Sequence, residues 1–277
     1  MNSYRFILED YHAVKNADII LDGLTVLAGL NGCGKSTILR CLYGLMNAEH
    51  DSHSKGRFSG IMGLKRVIYI DNSISGSSQD KHIYNILTDP IYPLINQQKS
   101  IQKGTTLIIE ELSVILGGGI VIQDGGQGRR ELRYIRKSDG LNISIEDMSA
   151  GMKSFAYILR LLQNGYIDSE TLLIIDEPEA HLHPQWIVKF AKVLVLIQKY
   201  LGAKVMVASH DPDMVAAISA MAEAEGLSDV TNFYQASKAP GELRYCFENS
   251  GNDISRIFES FNIALDGIDS YKASDFS

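Results

Sequence analysis

Gly29-Leu-Asn-Gly-Cys-Gly-Lys-Ser-Thr37 lies between an apolar run, Leu24-Thr-Val-Leu27, and a helical pattern, Thr37-Ile-Leu-Arg-Cys-Leu-Tyr43. Gly29, Gly34, Lys35 and Ser36 fill the fixed places of G-x-x-x-x-G-K-[ST], the spelling of a phosphate-binding loop. A polyphosphate needs many converging N–H donors, so the backbone itself must wrap it, and glycine permits both the close approach and positive φ. The residues expected against the nucleotide are Asn31, Gly32, Cys33, Gly34, Lys35, Ser36 and Thr37. Lys35 supplies a point charge for the β- and γ-phosphates, and the Ser36 hydroxyl a ligand for Mg²⁺. The flanking pattern is the one this chemistry requires: a buried strand enters, and a helix leaves with its positive end toward the anion.

Outward from this loop, the chain has the composition of an ordinary globular α/β protein: 277 residues, 45% hydrophobic and 21% charged. A formal charge of −7, from 26 Lys+Arg against 33 Asp+Glu, gives nucleic-acid binding no bulk electrostatic support and leaves only a local patch for that role. The three cysteines, Cys33, Cys41 and Cys246, show neither disulfide nor metal spacing. With no secretion signal and no apolar run near the roughly 20 residues of a membrane span, the expectation is a reduced cytoplasmic location without direct membrane insertion.

Tyr4–Leu8 and Asp18–Leu21 read as strands ahead of the loop, joined by the polar segment Asp10–Lys15, whose Tyr11, His12 or Lys15 either touch the nucleotide or are ordinary hairpin residues. Asn47–Gly60 reads as an exposed loop and Lys65–Asp71 as the next strand. Gln79–Gln98 is helix-leaning, and Thr106–Leu116 is helical in pattern, with Gly117–Gly119 as its stop. Short strands follow at Ile120–Ile122, Glu131–Ile135 and Asn142–Ile145. Roughly 79–145 is therefore expected to be a small α/β lid inserted into a single nucleotide-binding domain spanning 1–277. Ser149 reads as an N-cap before Phe155, Ile158, Leu159 and Leu162, which fall on one helix face. Thr171–Ile175 and Lys204–Ala208 are continuously apolar, as strands buried on both faces must be. Between them Pro184 opens a helix that Gly202 closes; a helix from about Pro212, one further strand near Tyr245 and an amphipathic piece at Ile254–Phe261 complete the pattern. This alternation predicts a mostly parallel sheet flanked by helices, with antiparallel strands at the N-terminus.

Asp176-Glu177 follows the apolar strand Thr171–Ile175 directly. Asp176 is placed to hold Mg²⁺ beside Ser36, and Glu177 to polarise the water that attacks the γ-phosphate. His210 stands at the carboxyl end of the next strand, where open α/β sheets bind ligands and an imidazole reaches a γ-phosphate.

With these residues in place the chain resembles the ABC-type P-loop ATPases, in the non-transporter branch that holds SMC-like, RecF-like and OLD-family ATPases. Gly29–Thr37 looks like Walker A, Leu172–Glu177 like Walker B, Ser149-Ala150-Gly151-Met152-Lys153 like the signature motif, and His210 like the switch histidine. Asp176-Glu-Pro-Glu-Ala-His-Leu-His-Pro184 is the most branch-specific run, with Glu179–His183 in the place of the D-loop that lines the dimer seam. The resemblance implies a head-to-tail homodimer or higher oligomer, each ATP lying between one chain's Lys35 and the other's Ser149, Ala150, Gly151 and Lys153. Two departures stand out. The glutamine expected after the strand ending near Ile70 is absent, leaving Asp71 or Asn72 in its place, and no second acidic cluster follows His210 to form the nuclease of OLD-family chains. These features imply an ATP-driven switch acting on a separately encoded effector in a defence, toxin-control or DNA-maintenance system. Direct DNA engagement through Arg129, Arg130, Arg133, Arg136 and Lys137, and the motor role of a membrane transporter, are the competing expectations.

Overall fold

Every residue of β3 (Leu24–Ala28) and of β9 (Thr171–Asp176) is buried, as is β10 (Lys204–Ser209) beyond Lys204. These three strands are parallel neighbours, with β10 between the other two, and successive side chains go to opposite faces. Leu24 and Val26, Leu173 and Ile175, and Val205 and Val207 join one apolar cluster, whereas Leu27, Leu172, Ile174, Met206 and Ala208 join the other. A continuous apolar run is the consequence of a strand that must satisfy two cores at once.

The computed structural model describes residues 4–47, 56–59, 63–71, 86–88, 103–126 and 130–259. The strands β1 (Arg5–Tyr11), β2 (Val14–Ile20), β4 (Arg57–Ser59), β5 (Arg66–Asp71), β11 (Thr231–Lys238) and β12 (Tyr245–Gly251) complete a sheet in the order β4-β1-β2-β12-β11-β3-β10-β9-β5. The β1–β2, β1–β4 and β11–β12 pairs are antiparallel and the others parallel. Helix α1 (Lys35–Met46) covers one face through Ile38, Leu39 and Leu42. The other face carries α2 (Lys103–Leu116), α3 (Ala150–Gln163), α4 (Pro184–Leu201) and α5 (Pro212–Ala224).

The expected stripe on α3 is real: Phe155, Ile158, Leu159 and Leu162 are all buried. Phe155 meets Phe190 of α4 edge-on, with ring centroids 4.9 Å apart, and Trp186 at 5.5 Å. His183 caps α4, its Nδ1 accepting from Gln185 N at 3.4 Å, and Gly202 ends it at φ 67°. Within the segment expected to be an insertion, β6 (Gly118–Asp124), β7 (Arg130–Arg136) and β8 (Asn142–Ser144) form a separate antiparallel sheet. Its Leu132 and Tyr134, with Ile108, Leu112 and Ile115 of α2, belong to the same cluster as α3 and α4.

The structure corrects several details. β11 was not anticipated, because Thr-Asn-Phe-Tyr-Gln-Ala-Ser-Lys has only Phe233 and Tyr234 as large apolar residues. It is nevertheless the parallel partner of β3, and the buried Tyr234 hydroxyl accepts from Ile20 N at 2.8 Å. β4 lies inside the stretch read as a loop, and Gly118–Gly119 begin β6 instead of belonging to the helix stop. Ser149 takes the N-cap position of α3, but its side chain makes no capping hydrogen bond. Most of the helix-leaning Gln79–Gln98 lies outside the described residues.

Truncating Phe190, which is fully buried, removes the ring that joins α4 to α3. Phe190→Ala should lose about 3–5 kcal/mol of stability, read as a lower midpoint in urea denaturation.

Candidate functional site

The carboxyl ends of β3, β10 and β9 stand side by side: Ser209 is in register with Ala28, and Ala208 with Asp176. The phosphate loop grows out of the first of these ends. Gly34 caps α1 at φ 102°, and a Cβ there would come 2.7 Å from Val14 Cγ2, so both the backbone angle and the space demand glycine. Lys35 is buried, and its Nζ donates to Gly29 O at 2.7 Å and Leu30 O at 3.0 Å, drawing the loop around the ammonium. The first turn of α1 holds no acidic residue, so the positive end of the helix is not offset there. Asn31 and Gly32 are exposed, with Gly32 at φ 80° and open space about it. Cys33 is buried, and burial pushes its thiol above the ordinary range. It therefore serves the loop as packing and backbone.

Asp176 ends β9 and has no exposed surface. Burial raises its carboxyl above the usual value, while hydrogen bonds with the Ser36 and Tyr69 hydroxyls pull it back. Tyr69 donates to Oδ2 at 2.9 Å, and Oδ1 is a buried oxygen with no partner. That orphaned oxygen with the neighbouring serine hydroxyl suits a hard, oxygen-ligated cation such as Mg²⁺. Among the described residues no group of three or more His, Cys, Asp or Glu forms a self-sufficient metal site. Asp71, the residue at the position where the resemblance called for glutamine, is in register with Asp176 on β5 and pairs with Arg40 at 3.2 Å. Asn72 lies outside the described residues.

Glu177 follows Asp176 with φ 49°, a left-handed angle that a non-glycine residue holds at a cost of about 1–2 kcal/mol. The turn is fixed by Glu177 N donating to Ala208 O at 2.9 Å and Ala180 N donating to Glu177 O at 3.0 Å. His210 Nδ1 lies 3.5 Å from Glu177 Oε1 and 3.3 Å from Glu179 Oε1. Glu179, the first residue of the run that the resemblance put in the place of the D-loop, is buried, accepting from Ser209 Oγ at 2.8 Å and His210 N at 2.9 Å, and burial raises its carboxyl. His181 and His183 are the exposed members of that run.

The signature residues occupy the start of α3. Ser149, Ala150 and the partly exposed Lys153 surround Gly151, where a Cβ would meet Leu182 Cδ2 at 2.5 Å and His181 O at 2.9 Å. Gly151 thus lets α3 lie against the loop that follows β9. Among the described residues no hydrogen bond or ion pair joins Ser149, Ala150, Gly151 or Lys153 to the phosphate loop. The β1–β2 turn does approach it, since Ala13 Cβ is 3.5 Å from the position of a Cβ on Gly34. Lys15 of that hairpin is engaged with Asp10 at 2.9 Å and Glu242 at 3.2 Å, and Arg244 pairs with the same two acids. The arginines of β7 are also engaged: Arg133 with Glu131 at 3.2 Å and Arg136 with Asp139 at 2.5 Å; Arg129 lies outside the described residues.

Residues 64–216, more than half of the chain, match the family model described as "AAA domain, putative AbiEii toxin, Type IV TA system". The chain belongs to this AAA family. As a member it is an ABC-type P-loop ATPase, and ATP hydrolysis is the activity at family level. The energy-coupling factor transporter ATP-binding protein EcfA3 of Clostridium perfringens is 27% identical over 207 residues, 74% of this chain and 65% of that one. Septu protein PtuA of Bacillus thuringiensis is 38% identical over 96 residues, 30% of this chain and 23% of that one. The chain spans only 26% of two further relatives from Streptococcus agalactiae. The SMC head bound to the C-winged helix domain of ScpA has a TM-score of 0.61 at 11% identity, covering 92% of this chain and 98% of that one, and so shares the AAA family member's fold. Among the described residues no helix is long and apolar enough to cross a membrane.

Gly34→Ala should bind ATP about tenfold more weakly or worse, from the left-handed angle alone and before the contact with Val14 is counted. Titration with a fluorescent ATP analogue reads the change, and unaltered affinity would remove Gly34 from the nucleotide site.

Proposed function

We propose that this ATPase binds ATP with Mg²⁺ and hydrolyses it to ADP and phosphate, as the nucleotide-closed switch of a separately encoded effector. The observation that carries the reading is the gathering of Lys35, Ser36, Asp176, Glu177 and His210 at the ends of β3, β9 and β10. In this reading Lys35 and the N-terminus of α1 take the phosphates, with the backbone of Asn31–Thr37 around them. Ser36 and Asp176 hold Mg²⁺, which supplies charge neutralisation at the phosphates. Glu177 accepts the proton of the attacking water, and His210 contacts the γ-phosphate. Glu177→Gln keeps the shape but removes the base, so turnover should fall by about 10² or more while ATP affinity persists. Near-normal steady-state phosphate release by this variant would refute the assignment.

The partner in the switch is a second copy of the chain, arranged head to tail. Ser149 is exposed and its side chain does not cap its own helix, which leaves its hydroxyl for a phosphate across the seam. Residues 1–277 act as one ABC-type ATPase domain, with roughly 79–145 as an insertion, of which α2 and β7 share an apolar cluster with α3 and α4. Lys35→Ala and Ser149→Arg chains should each be inactive alone, the first without its phosphate clamp, the second with the signature end blocked. Mixed, they form heterodimers in which one site carries both lesions and the other neither. Recovery should reach roughly a quarter of wild-type if chains assort randomly and sites fire independently. A Ser149→Arg protein that hydrolyses ATP normally by itself would end the head-to-tail model.

The family description and the likeness to PtuA support an effector in a cytoplasmic defence or toxin-control system. DNA engagement is the weaker reading, because Arg133 and Arg136 are already paired with acids and the chain carries a net charge of −7. The likeness to EcfA3 favours a transporter motor as the second reading. Affinity capture with the Glu177→Gln protein, with and without ATP, separates them: a soluble effector retained only with ATP supports the switch, and an integral membrane partner supports the motor.

A further inference from the structure

Tyr69 of β5 lies in the same apolar cluster as Ile174 of β9 and Ile38, Leu39 and Leu42 of α1, and so faces the α1 side of the sheet. It is in register with Ile174, two residues before Asp176, so Tyr69 and Asp176 project to that one face. The ring is 3% exposed and packs against Tyr43 of α1, with centroids 5.5 Å apart. Its hydroxyl reaches the end of β9 and donates to Asp176 Oδ2 at 2.9 Å, while Oδ1 of the same carboxyl is buried without a partner. The direction of this bond is fixed from behind. Arg40, one turn after Ser36 on α1, hydrogen-bonds the Tyr69 hydroxyl and pairs with Asp71 Oδ2 at 3.2 Å. A guanidinium only donates, so the phenol oxygen accepts from Arg40 and its single proton goes to Asp176.

We infer that Tyr69 is a positioning residue that sets cation selectivity: by occupying Oδ2 it leaves Asp176 a single oxygen, Oδ1, for the cation, and so favours Mg²⁺ over Ca²⁺. Mg²⁺ is small, holds to octahedral geometry and is served by one oxygen of a carboxylate, whereas Ca²⁺ accepts both oxygens of one carboxylate at longer distances. Arg40 makes the clamp a tie between α1, which carries Ser36, and β9, which carries Asp176. Asp71, at the place of the expected glutamine, stands behind the clamp as the anchor of Arg40. A hydroxyl that merely satisfied a buried carboxyl would affect stability but would not discriminate between two cations of equal charge. The inference deepens the reading of Ser36 and Asp176 as the Mg²⁺ site and rests on it.

The test uses the full chain saturated with ADP and follows bound Mn²⁺ by electron paramagnetic resonance, with Mg²⁺ and Ca²⁺ as competitors and ADP alone as the baseline. In the wild-type protein Mg²⁺ should compete better than Ca²⁺ by about tenfold beyond the preference of ADP alone. Tyr69→Phe, which removes one oxygen, should cut that added preference by about fivefold. It should also raise KM for Mg²⁺ in steady-state hydrolysis about tenfold, with kcat at saturating Mg²⁺ changed by less than about threefold. ADP affinity measured in EDTA should stay within about twofold, which separates a damaged cation site from a damaged nucleotide site. A folded Tyr69→Phe protein with the wild-type Mg²⁺-to-Ca²⁺ ratio overturns the inference. So does a wild-type protein that prefers Mg²⁺ no more than ADP does, even if Tyr69→Phe does not fold. An Asp176→Asn protein with wild-type Mn²⁺ binding would instead remove Asp176 from the cation site, and with it the reading on which the inference rests.

Discussion

Burial of β3, β9 and β10 on both faces is the constraint from which the rest of the molecule follows. Strands enclosed in this way have nowhere along their length to display a polar side chain, so their chemistry is confined to their ends. Asp176 shows how narrow the allowance is: it is the last residue of β9, has no exposed surface, and still needs the Tyr69 and Ser36 hydroxyls beside it. One step farther in, a carboxylate would be stranded in an apolar cluster. One step farther out, Glu177 is 24% exposed at its side chain and has left the sheet. The order Asp then Glu is thus the order of depth, with the deep acid suited to a cation and the shallower one to water.

The turns after these strands carry the strain that the strands do not. Gly34 sits at φ 102°, Glu177 at 49° and His181 at 63°, all within the loops that surround the proposed nucleotide site. Only the first is relieved by being glycine. The angles at Glu177 and His181 persist because neighbouring contacts over-determine them, among them Leu182 N donating to Glu179 O at 2.9 Å. Gly151 belongs to the same arrangement from the other side, since its missing Cβ lets α3 close against His181 and Leu182.

Most of this architecture was legible because it is written in local rules. Phosphate-loop spacing, the apolar runs of β9 and β10, Pro184 and Gly202 at the ends of α4, and the 3.6-residue stripe of α3 each report their own structure. What stayed hidden depended on distant partners. β11 holds its place beside β3 through Phe233 and a Tyr234 hydroxyl bonded to Ile20 N, more than two hundred residues earlier in the chain. Glu179 gave no sign of being buried, because a glutamate in a polar turn reads as solvated until the strand carrying Ser209 and His210 is laid beside it. Ser149 holds the cap position that its residue type suggests, yet its side chain makes no capping hydrogen bond.

The electrostatics of the site explain why its few cations are so firmly placed. Asp71, Asp176, Glu177 and Glu179 bring four carboxyls to the ends of adjacent strands, where a polyphosphate would add further negative charge. Arg40 is committed to Asp71, and Lys35 is held within the loop by two carbonyls. The remaining positive potential comes from the start of α1, which is free of acids in its first turn. Under the proposed function, an anion entering here meets carboxyls at the strand ends and is drawn toward Lys35 and the start of α1. In the proposed function these carboxyls and the start of α1 would together orient a polyphosphate toward the loop's N–H groups, with Ser36 and Asp176 placed to hold a cation beside it.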